Sequence, residues 1–203
     1  METIKKFVVI GPESTGKSTL CAQLAEHYKT LWVPEYAREY LLKNGTDYSY
    51  DDLLKVAKGQ IDLEESIANE LSGFSKKTPA SNIEHHTSNI IHQTSNIKHH
   101  DGLLFIDTDM YVMKVWCEFV FNKCHSWILN RIAGRRYHGY LLCNTDLDWV
   151  ADALREYPAH AIRQKLYYYY KDTMINQAVP WVDISGSYSE RFEKAINFVD
   201  NSI

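Results

Sequence analysis

One eight-residue stretch constrains this chain more than any other feature. Gly11-Pro-Glu-Ser-Thr-Gly16-Lys17-Ser18 fits GxxxxGK[ST] at every required position, and its flanks agree with it. Before it, Ile4 to Ile10 ends in the apolar run Phe7-Val-Val-Ile10, as a strand buried on both faces does. After it, Leu20, Leu24 and Tyr28 recur on one face of a helix predicted over Lys17 to Tyr28. Such a loop turns backbone N–H groups toward a common point and adds the positive end of a helix. A phosphate chain is therefore the ligand the spacing predicts. Gly11 and Gly16 let the loop wrap, Glu13, Ser14 and Thr15 lie between them, and Lys17 reaches the terminal phosphates. The Ser18 hydroxyl is a ligand for Mg²⁺. Thr19 follows, although the motif does not require it.

The rest of the chain alternates strand and helix signals. Strands are predicted over Leu31 to Val33, Leu103 to Asp107, Tyr137 to Cys143 and Pro180 to Ser185. Helices are predicted over Tyr36 to Lys43, Tyr50 to Leu71, Met110 to about Ala133, Ile162 to Asn176 and Ser189 to Asp200. Leu147 to Tyr157 reads as a short helix or a charged lid. The expected fold is α/β: a three-layer P-loop NTPase fold with a mostly parallel sheet of about five strands, helices on both faces and a small lid. Residues 1–203 are expected to form a single domain, with the lid at 145–163.

With 45% hydrophobic and 24% charged residues, the chain has enough apolar material for a core without disulfide or metal staples. Its net charge of −4 gives no bulk electrostatic reason to expect nucleic acid as a partner. The longest aliphatic runs are far shorter than a membrane span, and no leader pattern opens the sequence. Cys21, Cys117, Cys124 and Cys143 form no CxxC pair, which fits reduced thiols in a cytoplasmic protein. The residues leave the oligomeric state open.

Residues 75–100 stand apart. Ala80-Ser-Asn-Ile-Glu-His-His86, Thr87-Ser-Asn-Ile-Ile-His-Gln93 and Thr94-Ser-Asn-Ile-Lys-His-His100 are three copies of one seven-residue unit. Each has one isoleucine and no second apolar seam position, so a coiled coil is not indicated. The expectation is a mobile surface-loop insertion. It holds five of the nine histidines, whose metal binding would be adventitious.

Several side chains could carry chemistry. Asp107 ends a strand, where a carboxylate would face Mg²⁺ across from Ser18. Asp109 is either a substrate-side acid or the N-cap of the next helix. Glu35 follows a strand end and points toward the crevice where α/β sheets bind ligands, so it could accept a proton from an attacking hydroxyl. It is equally a first-turn helix acid. Arg38 could face the phosphates or pair with Glu35 or Glu39. Asp148, Asp152 and Arg155 fall on one face if 147–157 is helical. Arg155 could then close over the transferring phosphoryl group while Trp149 and the acids grip the acceptor; the alternative is a surface ion-pair ladder. Arg163 is a further candidate cation, and Tyr167 to Tyr170 is divided between core and surface.

Four blocks in order resemble the nicotinamide riboside kinase domain of NadR-type NAD-salvage proteins. They are Gly11 to Ser18, Pro34-Glu35-Tyr36-Ala-Arg38-Glu39, Phe105-Ile-Asp107-Thr-Asp109 and Trp149-Val-Ala-Asp152-Ala-Leu-Arg155. The resemblance implies ATP-dependent phosphorylation of nicotinamide riboside to the mononucleotide, on a fold close to nucleoside kinases. Ala153 stands where the family pattern has Gly. The length leaves no room for the adenylyltransferase or DNA-binding parts of such proteins, so a kinase alone is expected. Nicotinamide riboside carries a cationic ring, which suits an aromatic face backed by carboxylates; Tyr36, Trp149, Asp148 and Asp152 could supply both. Two other readings stay open: a kinase of another small molecule such as a deoxynucleoside, and an ATP-binding regulatory switch.

Overall fold

The computed structural model describes residues 4–74 and 102–203. Five strands, β1 (Lys5–Ile10), β2 (Leu31–Val33), β3 (Leu103–Asp107), β4 (Gly139–Cys143) and β5 (Trp181–Ile184), form one sheet in the order β2-β3-β1-β4-β5. Every neighbouring pair is parallel, as the alternation of elements leads one to expect. Helices α1 (Lys17–His27), α2 (Tyr36–Asn44), α3 (Tyr50–Phe74), α4 (Met110–Phe121), α5 (Ser126–Gly134), α6 (His160–Ile175) and α7 (Tyr188–Asp200) make the connections. The heptad repeat lies outside the described residues.

β1 is central because its side chains are apolar on both faces. Phe7 and Val9 join Leu20, Leu24, Ala195 and Val199 under α1 and α7, while Val8 and Ile10 join Val112, Val115, Leu166 and Tyr170 under α4 and α6. A third apolar cluster, including Ala37, Val56, Ile61, Met113 and Ile128, ties α2, α3, α4 and α5 together at one end. Glu64 of α3 is 1% exposed and tolerates burial because its carboxylate meets Lys6 at 2.8 Å, Arg135 at 2.5 Å and the Tyr137 hydroxyl at 2.9 Å.

Two expectations of helix are overturned. The single helix over Met110 to Ala133 is two. Asn122 adopts the left-handed conformation at φ 54°, which asparagine tolerates, and closes α4 with its N–H on the Glu118 carbonyl. The imidazole of His125 then stacks on Tyr50 with ring centroids 3.7 Å apart and donates to the Tyr50 carbonyl at 2.9 Å, which redirects the chain into α5. Residues 147–157, read as a short helix or lid, contain no helix. Asp152 Oδ1 accepts the Leu154 N–H at 3.0 Å, an Asx turn that competes with helical hydrogen bonding, and Pro158 follows. The i, i+4, i+7 face of Asp148, Asp152 and Arg155 therefore does not exist as such. No helix among the described residues is long and apolar enough to cross a membrane.

Candidate active site

The loop between β1 and α1 has the backbone its glycines allow. Gly11 (φ 138°) and Gly16 (φ 79°) take positive φ, and Ser14 joins them at φ 55°. A side chain at Gly11 would stand 2.7 Å from the Cys143 carbonyl oxygen of β4, so this glycine also permits the loop to lie against the sheet. The Thr15 hydroxyl donates to the Pro12 carbonyl at 2.7 Å, and the Lys17 ammonium crosses the loop to the same oxygen at 2.9 Å. Lys17 and Ser18 open α1, whose N-cap, Gly16, offers no side chain to occupy the first amides. Those amides and the lysine make a cradle for an anion.

Asp107 ends β3 at the lip of this cradle. Its Oδ2 accepts the Ser18 hydroxyl at 2.5 Å, and its Oδ1 is buried without a hydrogen-bond partner. Burial and, after it, the nearby Glu35 charge push the carboxyl up to about 7, against the opposing pull of Lys17 and the Ser18 hydroxyl. Hydroxyl and carboxylate oxygens side by side, one with an unused buried lone pair, are the donor set Mg²⁺ takes when it is held by one or two protein groups and phosphate oxygens. Among the described residues, no group of three or more His, Cys, Asp or Glu is placed to hold a metal by itself.

The acid two residues on is turned elsewhere. Thr108 takes φ 77°, an unfavourable left-handed conformation for a β-branched residue, and so reverses the direction of the chain between Asp107 and Asp109. Asp109 caps α4, accepting from the N–H groups of Tyr111 at 2.9 Å and Val112 at 3.4 Å, and also takes the Tyr140 hydroxyl at 2.9 Å. Burial raises it to about 6 despite those bonds.

Residues 144–159, between β4 and α6, lie across the loop. Ser14 Oγ accepts the Val150 N–H at 2.9 Å and an Arg155 guanidinium N–H at 3.3 Å. Glu13 Oε2 accepts the N–H groups of Glu156 at 3.0 Å and Tyr157 at 3.1 Å; burial raises its pKa, and those two bonds oppose the rise. Asp152 pairs with Arg38 of α2 at 2.9 Å. Glu156 takes the Tyr48 hydroxyl at 2.9 Å, which in turn accepts the Trp116 indole N–H at 2.8 Å. Trp149 lies against two guanidinium groups, Arg155 at 5.8 Å and Arg163 at 5.4 Å.

Together these elements enclose a cavity of about 300 Å³. Gly11, Glu13, Ser14, Thr15, Gly16, Lys17, Ser18, Thr19, Glu35, Arg38, Asp107 and Arg155 line it. Tyr36, Asp109, Trp149 and Asp152 do not. The Tyr36 ring is turned onto α3, where only a glycine fits; a Cβ on Gly59 would fall 2.1 Å from its ring. Asp109 is held in its cap, Trp149 by its arginines and Asp152 by Arg38, while Asp148 is exposed. The far wall contains residues the sequence reading passed over: Trp32, Trp116, Phe119, Glu156, Tyr157 and Tyr170. A signal was present for three of them. Val112, Val115, Trp116 and Phe119 make one helical stripe directly after the capped Asp109, and Leu166 and Tyr170 are one turn apart on α6.

A family model described as an AAA domain, AAA_28, matches residues 6–191, which take in all of the sheet but Lys5 and the whole cavity lining. The chain belongs to that family. Among curated proteins it is 24% identical over 204 residues to the trifunctional NAD biosynthesis/regulator protein NadR of Escherichia coli (strain K12), matching 97% of this chain. The chain spans 42% of that relative's length. A crystal structure of NadR protein in complex with NR superposes on 98% of this chain and 49% of its own, with a TM-score of 0.69 and 21% identity. A second, of NadR protein in complex with NAD and AMP-PNP, gives 0.64 and 20% over the same shares. The resemblance read from the four sequence blocks is thus borne out, and the fold is that of P-loop NTPases.

Proposed function

We propose that this AAA-family chain is an ATP-dependent kinase that transfers the terminal phosphoryl group to a hydroxyl of nicotinamide riboside, giving the mononucleotide. One observation carries the reading: a single cavity is lined both by the phosphate cradle at Gly11 to Thr19 and by five aromatic side chains, with the carboxylates of Glu35 and Asp107 close to each other in its lining. A hydrolytic switch has no need of a walled chamber beside its phosphates. A kinase needs one, to hold the acceptor in line and exclude water. The relatives whose names mention NAD biosynthesis, and the similar NadR structures holding NR and AMP-PNP, support the same pair of ligands.

In this reading the loop amides and Lys17 stabilise charge developing on the phosphoryl oxygens. Ser18 and Asp107 would hold Mg²⁺, which when bound supplies charge neutralisation between the phosphates. Glu35, at the mouth of the chamber, orients the acceptor hydroxyl and takes its proton; Asp107 is the other candidate for that task. Residues 145–163 act as the lid, with Arg155 over the transferring group and Arg38 beside it. Trp32, Trp116, Phe119, Tyr157 and Tyr170 offer ring faces, and Glu35 and Glu156 supply negative charge beside them. That suits a cationic pyridinium. Among the described residues no asparagine or glutamine lines the chamber, whereas reading an uncharged pyrimidine edge calls for such amides.

A panel of acceptors assayed by ADP release with Mg²⁺ and ATP tests this. Nicotinamide riboside should turn over well ahead of uridine and deoxycytidine. Equal rates would remove the cationic-ring argument, and ADP release indifferent to every acceptor would favour the switch.

A further inference from the structure

Glu35 occupies the N-cap of α2, yet its side chain makes no capping hydrogen bond. An acid in that position ordinarily folds back on the free amides of its own helix. The structure shows what serves the helix instead. Gln60, in the middle of α3 and 1% exposed, accepts the N–H of Tyr36, the first residue of α2, on its Oε1 at 2.7 Å. Its Nε2 donates to the carbonyls of Pro34 and Asp107, each at 3.3 Å. The orientation of this amide is dictated by its partners, because an N–H faces the oxygen and two carbonyls face the nitrogen.

Three backbone groups are therefore tied to one buried side chain. Two of them flank Glu35 directly, and the third is the peptide carbonyl of Asp107 itself. Glu35 lies two residues past the end of β2 and Asp107 is the last residue of β3, so both carboxylates stand just beyond the final β2–β3 pair, Val33 and Ile106. Gln60 is the side chain that bridges those ends.

We propose that Gln60 is a positioning residue for phosphoryl transfer. It caps α2 from outside, which leaves the Glu35 carboxylate free to face the acceptor hydroxyl, and it ties the peptides on either side of Glu35 to the Asp107 carbonyl beyond the last β2–β3 pair. The inference rests on the kinase reading above and adds to it a residue that lines no part of the cavity.

The test is a double-mutant cycle with Gln60→Leu and Glu35→Gln, measuring kcat and KM for ATP and for the best acceptor of the panel, together with a thermal melt of each variant. Gln60→Leu should lower kcat by about 10- to 100-fold with the KM for ATP held within about threefold. In the Glu35→Gln background the same change should cost much less, since both act on one step. A merely structural glutamine would lower the melting temperature and leave kcat of the folded fraction intact, or would add its loss in full to that of Glu35→Gln; either result overturns the proposal. So does an undiminished kcat in Glu35→Gln alone. If Gln60→Leu folds poorly, Gln60→Glu replaces it in the cycle, because it keeps an acceptor for the Tyr36 N–H and loses the donors to both carbonyls. Wild-type protein that phosphorylates no acceptor would overturn the kinase reading first and this inference with it, whereas active wild type with additive variants would overturn the inference alone.

Discussion

Two walls of the cavity, the cradle and the segment that lies across it, are built by different means. On one side, the phosphate cradle is made of consecutive residues, Gly11 to Ser18, suspended between the central strand and a helix with one face buried in the core. Its geometry is local: glycines at positive φ, a helix N-terminus and a lysine one residue into it. On the other side, residues 144–159 have no regular structure, and their place is set by contacts with Glu13, Ser14, Arg38 and Tyr48 from three different parts of the chain. A wall made by local geometry keeps its shape when one side chain is lost. A wall made by scattered hydrogen bonds is the part suited to open and close.

The largest expected effect would break this comparison at the rigid wall. Lys17→Ala removes one ammonium whose protein partner is the Pro12 carbonyl, so the melting temperature should hardly move while turnover falls by about 10²- to 10³-fold. Normal ADP release by a folded Lys17→Ala protein would mean that the cradle is not where phosphate chemistry occurs. A smaller effect belongs to the other wall. Arg155→Gln breaks the bond to Ser14 Oγ and the contact with Trp149, and should lower kcat by about 10- to 100-fold with ATP binding by calorimetry largely retained. Loss of ATP binding in equal measure would place Arg155 on the cradle instead.

The smallest effect sharpens where the rigid wall ends. Burial holds the folded Asp109 carboxyl at about 6, above the ordinary 3.8, so the folded protein keeps this proton more tightly than the unfolded chain. The associated stability is fully present below about pH 4 and is lost as pH rises through 6. Asp109→Asn, which can still cap α4, cannot ionise. Urea midpoints of the variant relative to wild type should rise between pH 4 and 6 and level off above. A difference that is flat across that range would show that Asp109 does not titrate as a buried cap.

How much of this was readable beforehand follows the same division. The GxxxxGKS loop, the strands and their parallel pairing came from patterns that act over a few residues: short apolar runs, glycine placement, helix-start signals and the alternation of strand with helix. Glu35 and Asp107 were legible because each follows a short strand, and strand ends in a parallel sheet share one edge. Tyr36 and Trp149 were misleading for the same kind of reason. Each is an aromatic residue beside a carboxylate in the sequence, but the empty space beside Gly59 draws the Tyr36 ring away, and Arg155 and Arg163 hold Trp149 outside the chamber. Trp116, Phe119 and Tyr170 were not offered for the site, because a helical apolar stripe looks alike whether it packs on a sheet or walls a cavity.

By itself the sequence determined the β1–loop–α1 unit, the α/β class and the presence of an anion cradle, since backbone sterics and side-chain periodicity operate between near neighbours. Only the tertiary structure decided which aromatic rings line the cavity, that Asp109 serves a helix while Asp107 lines the cavity, and that Gln60 takes the first amide of α2. Those outcomes depend on distances between residues dozens of positions apart, and such distances exist only once the sheet has brought the strand ends to one edge.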